Sequence, residues 1–237
     1  MNLSPRYKKS LSAISLVALP LLVVFAPLSQ VVMAQKSGSS LSLVAQADRQ
    51  AEADRLFNQG IQQYQISQFE AALQSWEQAL TIYRAIKNRQ REGAALGGIG
   101  LAYHFLGKYD KAIEFQLQSL AIAREIKDRS GEGRALGNLG IAYDALGKYD
   151  KAIEFQLQRL AITKEIKDRM GEGQSLGNLG LAYYSLGKYD KAIEFKLQSL
   201  AIAREIKDRF GEGQSLGNLG VAYYSLGKYD KAIEFHL

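Results

Sequence analysis

The chain has 237 residues, no cysteine and a formal net charge of +6. The missing cysteines exclude disulfides, thiolate metal sites and cysteine nucleophiles. The basic balance does not read as a nucleic-acid surface: Arg6, Lys8 and Lys9 stand apart at the start, while the other cations alternate with acids, as in KYDKAIE and REIKDR, the pattern of a solvated helix face.

Residues 1–34 have three parts: a basic MNLSPRYKKS, an apolar LSAISLVALPLLVVFAPL, and SQVVMA. Val32 and Ala34 stand at the −3 and −1 positions of a signal-peptidase site. The segment is therefore expected to be a signal peptide cleaved after Ala34, and the chain to be exported, periplasmic or secreted. The apolar run is long for a signal, so an uncleaved N-terminal anchor is the alternative; Pro20 and Pro27 weigh against a membrane-spanning helix. Residues 35–52 are polar and without period, and predict a flexible lead-in. Beyond Pro27 there is no proline, as expected of an all-α protein.

From residue 53 the chain repeats itself. Gly93, Gly133, Gly173 and Gly213 open near-identical stretches, so the period is 40 residues. The units are 53–92, 93–132, 133–172, 173–212 and an incomplete 213–237. Each predicts two helices. In the third unit Leu136, Leu139, Gly140, Tyr143 and Leu146 share one helical face, and Gly147 stands where a left-handed cap ends a helix. The second helix carries Tyr149, Ile153, Leu157 and Leu160 on one flank and Ala152, Phe155, Ile162 and Ile166 on the other. It is expected to run on through EIKDR, with Glu165 and Arg169 paired four apart, and to stop at Gly171. Two apolar flanks need two neighbours, so the units must stack into an α-solenoid, a superhelix with a concave groove. Gly140 is expected to admit the second helix, with Ala152 as the small counterpart. Gly137 is expected to lie off the core.

The residues Leu139–Gly140, Tyr143, Gly147–Lys148–Tyr149 and Ala152 resemble the tetratricopeptide repeat. The set recurs as Leu179, Gly180, Tyr183, Gly187, Tyr189 and Ala192, and the resemblance covers residues 53–237. The 40-residue form is similar to the repeats of G-protein-signalling and spindle-orientation adaptors, of kinesin light chains, and of long bacterial arrays. There are departures. The common repeat is shorter and closes its second helix with proline, where this chain has Arg124, Lys164 and Arg204. An aromatic and an alanine are usual on the second helix. Only Trp76 and Ala79 keep them; later units have Gln156 and Arg159, or Lys196 and Ser199.

No constellation predicts catalysis, a metal or a cofactor. His104 and His236 belong to no cluster with ligand or triad spacing. The acids recur in every unit, as helix-surface charges do. GEGRALGNLG lacks the spacing and the preceding strand of a dinucleotide-binding turn. A surface remains. On the first helices Asn138, Asn178 and Asn218 recur at one position, with Ile141, Leu181 and Val221 beside them. Tyr184 and Tyr224 lie off the core stripe as further groove contacts. The resemblance implies that first helices line the concave side and that such asparagines hold the backbone of an extended peptide. Gly137, Gly177 and Gly217 would keep the groove floor open. The expectation is an exported protein–protein interaction scaffold, not an enzyme, with a protein or peptide partner and neither nucleic acid nor a small-molecule substrate. The rival is the repeat arm of a secreted, caspase-like peptidase whose catalytic domain lies outside this chain. A spacer without ligand is the third reading.

Overall fold

In the computed structural model the backbone is described from Leu28 to His236 and the side chains from Val44 to Phe235. Residues 1–27, which hold most of the expected signal, and Leu237 lie outside the described residues. No helix among the described residues is long and apolar enough to cross a membrane.

The described residues form ten helices and no strand. They are α1 (Leu28–Gln65), α2 (Phe69–Ala85), α3 (Arg89–Phe105), α4 (Tyr109–Glu125), α5 (Arg129–Ala145), α6 (Tyr149–Glu165), α7 (Arg169–Ser185), α8 (Tyr189–Glu205), α9 (Arg209–Ser225) and α10 (Tyr229–His236). The period of 40 follows from α3 to α9: helices of 17 residues alternate with three-residue turns. The expected flexible lead-in is helical instead, inside α1. Its last stretch, LVAQADRQAE, is rich in good helix formers and free of glycine and proline, although Val44 to Arg49 remain exposed.

Every turn reverses the chain through one left-handed residue. After a first helix it is Ser67 in the first unit, with φ of 61°, and glycine in the later units, with φ near +70° at Gly107, Gly147, Gly187 and Gly227. After a second helix it is lysine, with φ of 57–58° at Lys87, Lys127, Lys167 and Lys207. Both turns are Schellman motifs: Lys108 N–H donates to the Tyr103 carbonyl at 2.8 Å, and Asp128 N–H to that of Ala123 at 2.8 Å. The second helix therefore stops at Glu165 and does not run on through EIKDR. The next residue in helical conformation, Arg169, already belongs to α7.

The GEG stretch opens a helix; it does not end one. Asp128, Asp168 and Asp208 accept from the N–H groups of Gly131, Gly171 and Gly211 at 2.8–3.0 Å, as N-caps. A Cβ on Gly171 would stand 2.2 Å from the Asp168 carboxylate and 2.8 Å from Thr163 Cγ2, so glycine is what lets the cap close. Glu165 and Arg169 consequently do not pair. Arg129 reaches Glu165, and Arg169 reaches Glu205, across the two helices of one hairpin. Buried Glu132 joins Arg124 of α4 to Arg129 of α5. The pattern recurs from Arg84 to Arg209 and runs along one edge of the array.

The core lies between consecutive helices. Leu96, Leu136, Leu139, Leu176, Leu179 and Leu219 are fully buried on the first helices, with Ala152, Ile153, Leu160 and Ile162 facing them from α6. Leu157, expected on a buried flank, is 44% exposed, as are its equivalents Leu117 and Leu197 to a similar degree. The recurring face of each hairpin from α3 onward adds a stacked pair: Tyr143 on Phe155 at 5.3 Å, with Lys151 Nζ above the tyrosine ring at 5.1 Å. Such Tyr–Phe–Lys sandwiches repeat in the next two units. The layers differ in crowding. The first helices α3, α5 and α7 each touch the next first helix, whereas no two second helices touch one another among the described residues. The first helices are therefore the inner, concave layer of the solenoid.

Candidate binding groove

The inner layer carries two adjoining clefts. The larger, about 610 Å³, is lined by first-helix residues of α1, α3 and α5, including Tyr64, Ala94, Leu101, Arg134 and Asn138, with Trp76, Gln116 and Ser119 showing between them from the second helices. The smaller, about 240 Å³, is bounded by Tyr64, His104, Phe105, Asn138 and Ile141.

Asn138, Asn178 and Asn218 are all half-buried at the same position of α5, α7 and α9. Among the described residues none of these amides has a hydrogen-bond partner in the chain. Ile141, Leu181 and Val221 stand one helical turn on, 39–45% exposed, an apolar strip beside the amides. The clefts bring together Asn138 and Ile141; neither includes the residues of the fourth and fifth units. The two tyrosines differ. Tyr184 is half-buried and its hydroxyl meets Ser225 Oγ at 3.0 Å. Tyr224 is 65% exposed, edge-on to Tyr229.

The asparagine series begins only in the third unit, and Trp76 is the cause. Its indole lies beneath Gly98, where a Cβ would stand 2.8 Å from the ring. No side chain fits there, so the position that is asparagine in later units is glycine in the second.

The remaining glycines correct the sequence reading. Gly137 is buried and faces the second helix of its own unit: a Cβ would stand 2.8 Å from Arg159 Cδ. It makes room for Arg159 and does not keep the floor open. Gly177 faces Ser199 in the same way, and Gly217 has nothing within 4 Å. Gly140 admits Gln156, not Ala152; its Cβ would meet Gln156 Nε2 at 2.5 Å. Gln116 and Gln156 donate to the carbonyls of Gly97 and Gly137 at 2.9 and 3.1 Å, and the Oε1 of each is buried without a partner.

Sequence reasoning passed over the second-helix side chains that surface between first helices. The signal was present as the loss of the usual aromatic and alanine. Lys196 replaces the glutamine in α8 and is only 5% exposed; burial pushes its ammonium down to about 8. Arg159 replaces a serine, donates to Gln174 Oε1 at 2.7 Å, and is shifted down by burial against the pull of Asp168. His104 and Asp144 hold one position in successive units. Burial lowers the first and raises the second, so both are driven toward their neutral forms.

The comparisons agree with this architecture. A search of curated proteins finds no match. Among solved structures, the apo form of RapI is 19% identical with a TM-score of 0.68, over 78% of this chain and 51% of that one. A Rap protein complexed with competence and sporulation factor is 18% identical with a TM-score of 0.69, over 78% and 52%. The Podosopora anserina kinesin light chain repeats are 22% identical with a TM-score of 0.65, over 78% and 92%. The chain thus spans about half the length of the two Rap proteins, and these likenesses show the fold. The family profile of the tetratricopeptide repeat matches residues 60–125, 91–165 and 171–237, and by that match this chain belongs to the tetratricopeptide repeat family.

Proposed function

We propose that the array is an interaction scaffold that holds an extended segment of a partner protein along its inner layer. The carrying observation is the row of three half-buried amides, Asn138, Asn178 and Asn218, which have no partner among the described residues. Each offers a donor and an acceptor, the complement of a peptide backbone, and Ile141, Leu181 and Val221 offer apolar contact beside them. A protein of the same fold, the Rap protein above, is known in complex with a partner factor.

Changing the three asparagines to alanine together tests this. A peptide selected from a random library against the wild-type array should bind the triple variant about ten- to two-thousand-fold more weakly, at ~0.5–1.5 kcal/mol per lost hydrogen bond. The melting temperature should not fall, because alanine is the better helix former. Undiminished binding of every selected peptide in calorimetry would remove the amides from the site.

The scaffold is further proposed to work outside the cytoplasm, on the strength of the three-part leader in residues 1–34. Mass spectrometry of exported protein should then find Gln35 at the N-terminus; an intact Met1 on membrane-bound material would favour the anchor instead.

A further inference from the structure

Among the described residues, two cations of the second helices, Arg159 and Lys196, form no ion pair. Arg159 and Lys196 occupy, in the third and fourth units, the positions of Ser119 and Gln116, which line the large cleft in the second unit. Arg159 lies across α5 at Gly137 and reaches Gln174 on α7, so it spans the gap between two first helices. Lys196 lies against Gly180 of α7, its Cγ and Cε 2.8 and 2.9 Å from where a Cβ would be. The two therefore pack on α7, the helix that carries Asn178.

Packing does not require them to be charged. At the Arg159 position Ser119 and Ser199 satisfy themselves on the carbonyls of Gly93 and Gly173. At the Lys196 position Gln116 and Gln156 bond backbone carbonyls. Among the described residues Lys196 makes no hydrogen bond or ion pair. Arg159 has one neutral partner, and the acid whose charge acts on it, Asp168, is already engaged in capping Gly171. A charge that is buried, as at Lys196, or half-buried, as at Arg159, and that forms no ion pair costs stability that the neutral residues at the same positions do not.

We infer that Arg159 and Lys196 are an anion-reading pair, and that the extended segment held in the groove carries carboxylate side chains opposite them. The inference rests on the groove reading and adds to it the chemistry of the partner: an acidic stretch, aligned by the amides and selected by the cations. Carboxylate bonds to guanidinium and ammonium are charge-assisted, and burial strengthens them.

The test uses two probes, a peptide of alternating glutamate and serine and its glutamine counterpart. The variants are Arg159→Ser and Lys196→Gln, which restore residues that neighbouring units already fold with. Wild type should prefer the glutamate peptide, and the double variant should lose that preference by about tenfold or more, with the glutamine peptide unchanged. The preference should also shrink with added salt. Equal binding of both peptides to wild type, or no binding of the glutamate peptide, overturns the inference, as does a preference that survives in the double variant. The triple asparagine variant keeps the two readings apart: it should weaken both peptides by the same factor. If it weakens neither while the cations still discriminate, the ladder fails and the anion pair stands.

Discussion

At the scale of single residues, Lys196 carries a cost that can be measured. Its folded value of about 8 lies below the ordinary lysine value, so between pH 8 and about 10.4 the unfolded chain binds more protons than the folded one. Stability relative to a neutral residue is therefore impaired in full below pH 8 and recovered as the pH rises through that window. Lys196→Gln should stabilise the protein at pH 7 by something on the order of 3 kcal/mol, and the gain should vanish near pH 10.5. A gain that is the same at both pH values in denaturant titrations would show that burial of the ammonium is not its source. The residue scale is also where the sequence was read least well. The repeated Gly–Asn pair was visible, but what fills the space beside each glycine was not. That depends on side chains twenty-two positions away on another helix, as with Gly98 over Trp76 and Gly137 over Arg159. Periodicity reports which face a residue shares, not which long side chain crosses it.

Among elements, the two turns of each unit solve one problem with different residues. Glycine meets the left-handed requirement freely at Gly147, whereas lysine meets it under strain at Lys127, with φ of 57°. Lys127→Gly should stabilise the array by about 0.5–1 kcal/mol, and Gly147→Ala should destabilise it by about 1 kcal/mol or more. Thermal melts of the two variants should move in opposite directions; a drop for both would mean that the lysine side chain is needed at its turn. The helix pair, the glycine turn and the stacking of units were all legible, because apolar spacing and Gly147 carry their own local signals. The lysine turn was not: a positive φ outside glycine leaves no mark in composition. EIKDR has a helical character that only the Asp168 cap and the left-handed Lys167 interrupt, and reading through them misplaced the start of every first helix by one turn. The glycine-rich GEG looked like an ending because glycine often is one, whereas here it yields space to a capping carboxylate.

Across the described array, the contacts are short-ranged: consecutive helices pack on one another, within a unit and between units, and the first helices α3, α5 and α7 also touch the first helix of the next unit. Stability in such a structure is a sum of neighbouring interfaces. Leu139 is fully buried in α5, and Leu139→Ala should cost ~2.7–5 kcal/mol locally. Hydrogen exchange should accelerate across α5 and α6 first, while the amides of α2, separated from the lesion by α3 and α4, keep more of their protection. A uniform acceleration through every helix would show that the array unfolds only as a single block.

The edge of arginines and glutamates has a consequence for how such a chain can change length. Arg124 reaches forward to Glu132, and Lys164 and Arg204 reach forward to Glu172 and Glu212. Each joint thus presents a cation to the unit that follows and a carboxylate to the unit before. Excising residues 129–168 would bring Arg124 to Glu172 and leave Asp128 to cap the helix that Asp168 caps now. The interfaces are interchangeable parts, so duplication or loss of a whole unit creates no orphaned charge. What it alters is the inner layer, where one excision would remove Asn138 and Arg159 together: the same grammar that lets the array grow or shorten would rewrite what it reads.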